Sequence, residues 1–201
     1  MIDFLLLLSD AARNTTLAGN VLKTMYPKMF HVTCVAHLLH NCAMVLKSKY
    51  CTADNLIATM KNAIVKNKDR RQKFAQIRLP PQPIVTRWGT WLKAAFWYAQ
   101  NLPAVRQIVS SFDDDGIIVS RVKEAVQSAD LHNELVELEN YKPLLSLLDR
   151  CEASIFSICH ASEALSQLQF GLDPVNIGQF ISKRLQKNDL ADIMPSRRQE
   201  V

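Results

Sequence analysis

Apolar residues from Ile2 to Leu8 form a run broken only by Asp3 and closed at once by Ser9 and Asp10. A run that short, ending abruptly in polar residues, predicts a strand over residues 2–8 buried on both faces. From Ala11 to Tyr26 the pattern changes. Ala12, Leu17, Ala18, Val21, Leu22 and Met25 recur at mixed intervals of three and four, which is helix spacing, and Pro27 ends it. Residues 29–33 are rich in β-formers and predict a second strand, followed by a second helix from Val35 to about Lys49. The order strand, helix, strand, helix predicts a βαβ unit over residues 1–50, with a parallel strand pair and a right-handed crossover.

Beyond Tyr50 the period is helical throughout. Thr52 is a candidate cap for a helix to Lys66, with Leu56, Ile57, Met60, Ala63 and Ile64 on one face. Residues 67–77 are basic and can continue helical. Leu79-Pro80-Pro81-Gln82-Pro83 opens a stiff linker over residues 79–85. A helix is predicted from Thr86 to Gln100, and Pro103 predicts the start of a separate one ending near Phe112. Asp113-Asp114-Asp115-Gly116 predicts a turn. Further helices are predicted at 117–129, 131–141, 144–158, 162–170 and 175–186, with a frayed tail at 187–201. The fold class is therefore α/β followed by all-α, mostly helical overall. Parallel strands normally lie inside larger sheets, so a lone parallel pair suggests part of a larger fold.

Charge adds a second layer. The net charge is +5, but residues 47–106 hold 12 basic and 2 acidic residues, and residues 107–201 hold 9 basic and 15 acidic. A block of that sign either contacts a polyanion or forms a solvated helical surface. Within it, Lys61, Lys66, Lys68, Arg70, Arg71, Lys73, Arg78 and Arg87 are the candidate phosphate contacts. Phe74 is the only aromatic of that basic segment, which argues against base stacking. No apolar run approaches the roughly 18 residues of a membrane span, so no membrane partner is expected. The start lacks a basic n-region and makes a poor signal peptide. Five Cys without framework spacing suit a reducing compartment.

Three local features carry candidate chemistry. Asp10 stands where the first strand ends, the side of an α/β sheet on which ligands bind, so it is a candidate Mg²⁺ ligand; a helix N-cap is the alternative. Cys34 and His37 form a C-x-x-H element without a second ligand pair at finger spacing; packing beside a hydrogen-bonded His is the alternative to metal or nucleophile chemistry. Trp88 and Trp91, with Trp97, sit at helical spacing and predict an aromatic core stripe. Arg87, at a helix start where the dipole opposes it, calls for a phosphate or a buried carboxylate nearby.

Taken in order, Leu7-Leu8-Ser9-Asp10-Ala11-Ala12-Arg13-Asn14, then Cys34-Val35-Ala36-His37, then Thr86-Arg87-Trp88-Gly89-Thr90-Trp91 resemble three motifs of hAT-superfamily transposases. The resemblance covers roughly residues 1–100 and extends to transposase-derived relatives of CGG-repeat-binding protein. It implies an RNase H-like core interrupted by a helical insertion, with Asp10 as the second acid of a D-D-E triad. It further implies that Cys34 and His37 help organise the site and that Trp88 marks the insertion entry.

The same resemblance expects the first Asp before residue 1 and the Glu after the insertion. One carboxylate does not clamp two metal ions, so the expectation is a truncated, catalytically inactive, transposon-derived protein of the nucleus with salt-dependent DNA binding. It would need no cofactor; Mg²⁺ or Mn²⁺ would enter only at a completed site. Two alternatives stand beside it. One is a metal-dependent transposase or nuclease core completed by further sequence or a partner chain, such as a second copy or a full-length transposase. The other is a helical protein-interaction module.

Overall fold

The computed structural model describes residues 6–10, 12–65, 67–84, 87, 89–113 and 116–152. These divide into two compact units, residues 6–42 with 147–152, and residues 43–146. The elements in chain order are β1 (Leu6–Ser9), α1 (Arg13–Met25), β2 (Phe30–Thr33), α2 (Val35–Lys49), α3 (Cys51–Val65), α4 (Lys68–Lys73), α5 (Gly89–Ser110), α6 (Ile117–Gln127), α7 (Ala129–Glu139) and α8 (Lys142–Glu152). The chain is thus mostly helical, with a small parallel strand pair near its start.

In the first unit β1 and β2 pair in parallel, Leu6 opposite Phe30 and Ser9 opposite Thr33. The ladder continues one bond further, from the Cys34 N–H to the Ser9 carbonyl at 2.7 Å. Helix α1 lies close to β2 because residue 19 is a glycine. A Cβ there would fall on the imidazole ring of His31. Pro27 follows the end of α1, as its fixed φ and missing N–H require. The expectation of a strand buried on both faces is not met. Leu6 is 43% and Leu8 58% exposed. The physical reason is coverage: among the described residues no third strand or helix lies over these side chains. Val32, the ladder partner of Leu8, is buried.

The second unit is helical. Helix α3 packs on α6 and α7, and α5 packs on the same two helices. Leu56, Met60 and Ile64 of α3, Trp91, Leu92 and Tyr98 of α5, and Val122, Leu131 and Leu138 of α6 and α7 are buried. No buried polar or charged residue interrupts the core among the described residues.

Two further expectations are corrected here. Pro103 does not start a new helix; it lies inside α5, a single helix of 22 residues. An internal proline removes one backbone bond and costs on the order of 3 kcal/mol. Leu102 just before it, and Val105 and Val109 beyond it, are all buried. Burying each such side chain contributes about 1.5–3 kcal/mol, enough to hold the helix through the proline. The second correction concerns α3, which begins at Cys51 and is not capped by Thr52. The N–H groups of Thr52 and Ala53 instead donate to the carboxylate of Glu134 on α7, at 3.4 and 2.8 Å. A carboxylate at a helix N-terminus satisfies orphan donors and complements the dipole. Helix α4 has the local device: Asn67 accepts from the Arg70 N–H at 2.9 Å.

Candidate functional site

The carboxyl end of the strand pair brings Asp10, Cys34 and His37 into one neighbourhood. Asp10 follows β1 directly. Cys34 follows β2 and is tied to Ser9 through its N–H. His37, one turn into α2, is close enough for its charge to help lower the Asp10 pKa. The larger causes are local. Asp10 Oδ1 accepts from the Thr15 hydroxyl at 2.5 Å and from the Ala12 N–H at 3.2 Å. These bonds favour the ionised carboxylate and hold its pKa below the ordinary value. Asp10 therefore braces the β1–α1 turn. Ala12, not Asp10, occupies the α1 cap position, and Ala12 has no side chain with which to cap.

Beside this cluster, Ser9 Oγ lies 2.8 Å from His31 Nε2 and donates to the Asp10 carbonyl at 3.0 Å. On α2, His40 Nε2 lies 3.1 Å from Glu152 Oε1, while its buried Nδ1 has no hydrogen-bond partner among the described residues. Cys151 is near enough to Cys34 to feel it, but burial is the main cause that pushes the Cys151 thiol up to about 11. Among the described residues no group of three His, Cys, Asp or Glu side chains is arranged to hold a metal ion.

In the second unit the candidate cations divide by what they touch. Lys61 Nζ donates to the Pro83 carbonyl at 3.3 Å. Arg70 Nη1 donates to the Ala63 carbonyl at 2.9 Å and its guanidinium lies over the Phe112 ring at 5.7 Å. Lys73 donates to the Ser111 carbonyl and pairs with Asp113 at 3.0 Å. Arg70 and Lys73 thereby fasten α4 to the end of α5, where a cation also meets the negative end of the helix dipole. Lys68, Arg71, Arg78 and Arg87 are exposed. Arg78 takes a left-handed backbone, φ 65°, immediately before the Pro-rich stretch. Phe74 is fully buried, so this basic stretch offers no ring for base stacking. Lys66 and Trp88 lie outside the described residues.

Trp91 is buried as expected, but it carries more than packing. Its indole Nε1–H donates to Asp54 Oδ1 at 2.9 Å, and Lys47 Nζ stands 3.6 Å from the same oxygen. Sequence reading did not single out Lys47, Asp54 or Glu134. The available signal was thin: Asp54 and Lys47 are a lone acid and a lone base separated by a helix boundary. No protein-family model, curated protein or solved structure matches this chain.

Proposed function

We propose that this is a transposase-derived protein of hAT type that acts in the nucleus by gripping the nucleic-acid backbone, without cutting it. Lys68, Arg71, Arg78 and Arg87 make the phosphate contacts. The observation that carries the reading is the division of labour among the cations. Arg70 and Lys73 fasten α4 in position, while Lys68, Arg71, Arg78 and Arg87 are exposed. Exposed cations that reach phosphates supply sequence-blind backbone binding. The non-cutting part of the proposal draws on Asp10, whose Oδ1 is committed to Thr15 and Ala12.

The test is fluorescence anisotropy of a labelled 20-base-pair duplex across a salt series. Four phosphate contacts predict a slope of log K against log salt of about −3.6. Arg71→Gln and Arg78→Gly should each weaken binding to every duplex alike and flatten the slope by about 1. Arg78→Gly also relieves the left-handed backbone, which costs a non-glycine residue about 1–2 kcal/mol, so lost binding cannot be blamed on unfolding. Absence of binding at low salt, or a slope that the substitutions leave unchanged, would refute the proposal. The nuclease reading draws on the same Asp10, an ionised carboxylate at a strand's carboxyl end. It predicts that Mn²⁺ raises the melting temperature of the wild type and not of Asp10→Asn.

A further inference from the structure

The second unit contains a cleft of about 180 Å³ between the start of α3, the Pro-rich stretch and α5. At roughly 30 Å³ per water this is space for about six waters, or for one aromatic ring with a one-carbon substituent. Its walls are mainly apolar: Ile57 and Ala58 from α3, Pro83 and Ile84 from the stretch before α5, and Trp91. Two ammonium groups, Lys47 and Lys61, line the same cleft.

The charges there do not balance. Among the described residues Asp54 is the one acid lining the cleft, and its Oδ1 is occupied by the Trp91 Nε1–H at 2.9 Å and Lys47 at 3.6 Å. Lys61 donates only to a neutral carbonyl, that of Pro83, and pairs with no carboxylate among the described residues. One positive charge is left over at an apolar cleft sized for a single ring. An unmatched cation beside apolar walls recognises an anion with an apolar body. A neutral hydrophobe would leave that charge unanswered, and a bare inorganic anion would leave the walls wet.

We propose that this cleft binds a small aromatic monocarboxylate, its ring against Ile57, Pro83 and Ile84 and its carboxylate held by Lys61 with help from Lys47. The site is separate from the nucleic-acid reading, because none of Lys68, Arg71, Arg78 or Arg87 lines it. Either can fail without the other.

The probe is benzoate, titrated into the full chain by calorimetry at constant ionic strength, with benzyl alcohol and acetate as the ring-only and anion-only controls. Benzoate should bind saturably at millimolar concentration or below, and more tightly than either control. Lys61→Met keeps the apolar stem and removes the charge; it should weaken benzoate about five-fold and leave benzyl alcohol unchanged. Asp54→Asn keeps an acceptor for the Trp91 indole while removing the competing negative charge, and should tighten benzoate. Ala58 is exposed and on a helix, so Ala58→Leu fills the cleft without opening the core, and should abolish binding of both ring compounds. The proposal is overturned if benzoate shows no saturable binding, if acetate binds equally well, or if Ala58→Leu leaves the affinity as it was.

Discussion

Replacing Gly19 by alanine sets two well-understood effects against each other. Gly19 lies inside α1, where Ala is favoured over Gly by about 1 kcal/mol. On propensity alone the substitution stabilises. The new Cβ, however, would meet the His31 ring, coming within 2.8 Å of Nε2 and closer still to Cε1 and Nδ1. The ring has to move. Moving it gives up the contact with Ser9 Oγ at 2.8 Å, worth about 1 kcal/mol, and forces overpacking that typically costs about 1–3 kcal/mol. The net expectation is destabilisation by about 1–3 kcal/mol, the sum of these opposing effects. Urea unfolding followed by circular dichroism reads it directly. In a His31→Ala background the obstacle is gone, and Gly19→Ala should then stabilise by about 1 kcal/mol. A reversal of sign between the two backgrounds is the signature of the close helix–strand approach. If Gly19→Ala stabilises the wild type as well, the packing described for α1 and β2 is wrong.

Three further outcomes are expected. Glu134→Ala should cost about 1 kcal/mol by releasing the α3 N-terminus, and hydrogen exchange should quicken at Thr52 and Ala53 in particular. Because the bond from Thr15 is the largest cause lowering the Asp10 pKa, Thr15→Val should raise that carboxyl's titration toward its ordinary 3.8, as read by carbon NMR. A lowered folded pKa means that Asp10 adds stability above the unfolded value of 3.8, and that this contribution is lost as pH falls through the folded value; Asp10→Asn should remove that part of the acid sensitivity. Burial pushes Cys151 up to about 11, whereas Cys51 is exposed, so iodoacetamide at neutral pH should label Cys51 well before Cys151, as peptide mass mapping would show.

What could be read from residue order alone follows the range of the forces involved. The order strand, helix, strand, helix and the helical run after Tyr50 rest on local periodicity, and both were legible. So was the buried face of α3, since Leu56, Met60 and Ile64 repeat at helical spacing. Pro103 misled, because a proline's local cost is visible in sequence while the burial of Leu102, Val105 and Val109 that outweighs it is not. The cap on α3 was out of reach for the same reason: Thr52 is the local candidate, and Glu134 is 82 residues away. At the candidate site, Asp10 could be placed at a strand end, but its grouping with Cys34 and His37 came only from the resemblance to hAT transposases. The cleft with Lys47, Asp54 and Trp91 could not, because nothing local links a helix end, a helix start and a tryptophan 37 residues on.

The clasp between α7 and the α2–α3 junction has a consequence for how the chain is made. Glu134 holds the start of α3, and Glu137 accepts from the Tyr50 hydroxyl 87 residues earlier. A ribosome adding roughly 5–20 residues per second needs roughly 4–16 s to span such a gap. Throughout that interval the nascent α3 carries its apolar face with an unpinned leading turn, a window in which a chaperone, or another emerging copy, meets it before its own glutamates do.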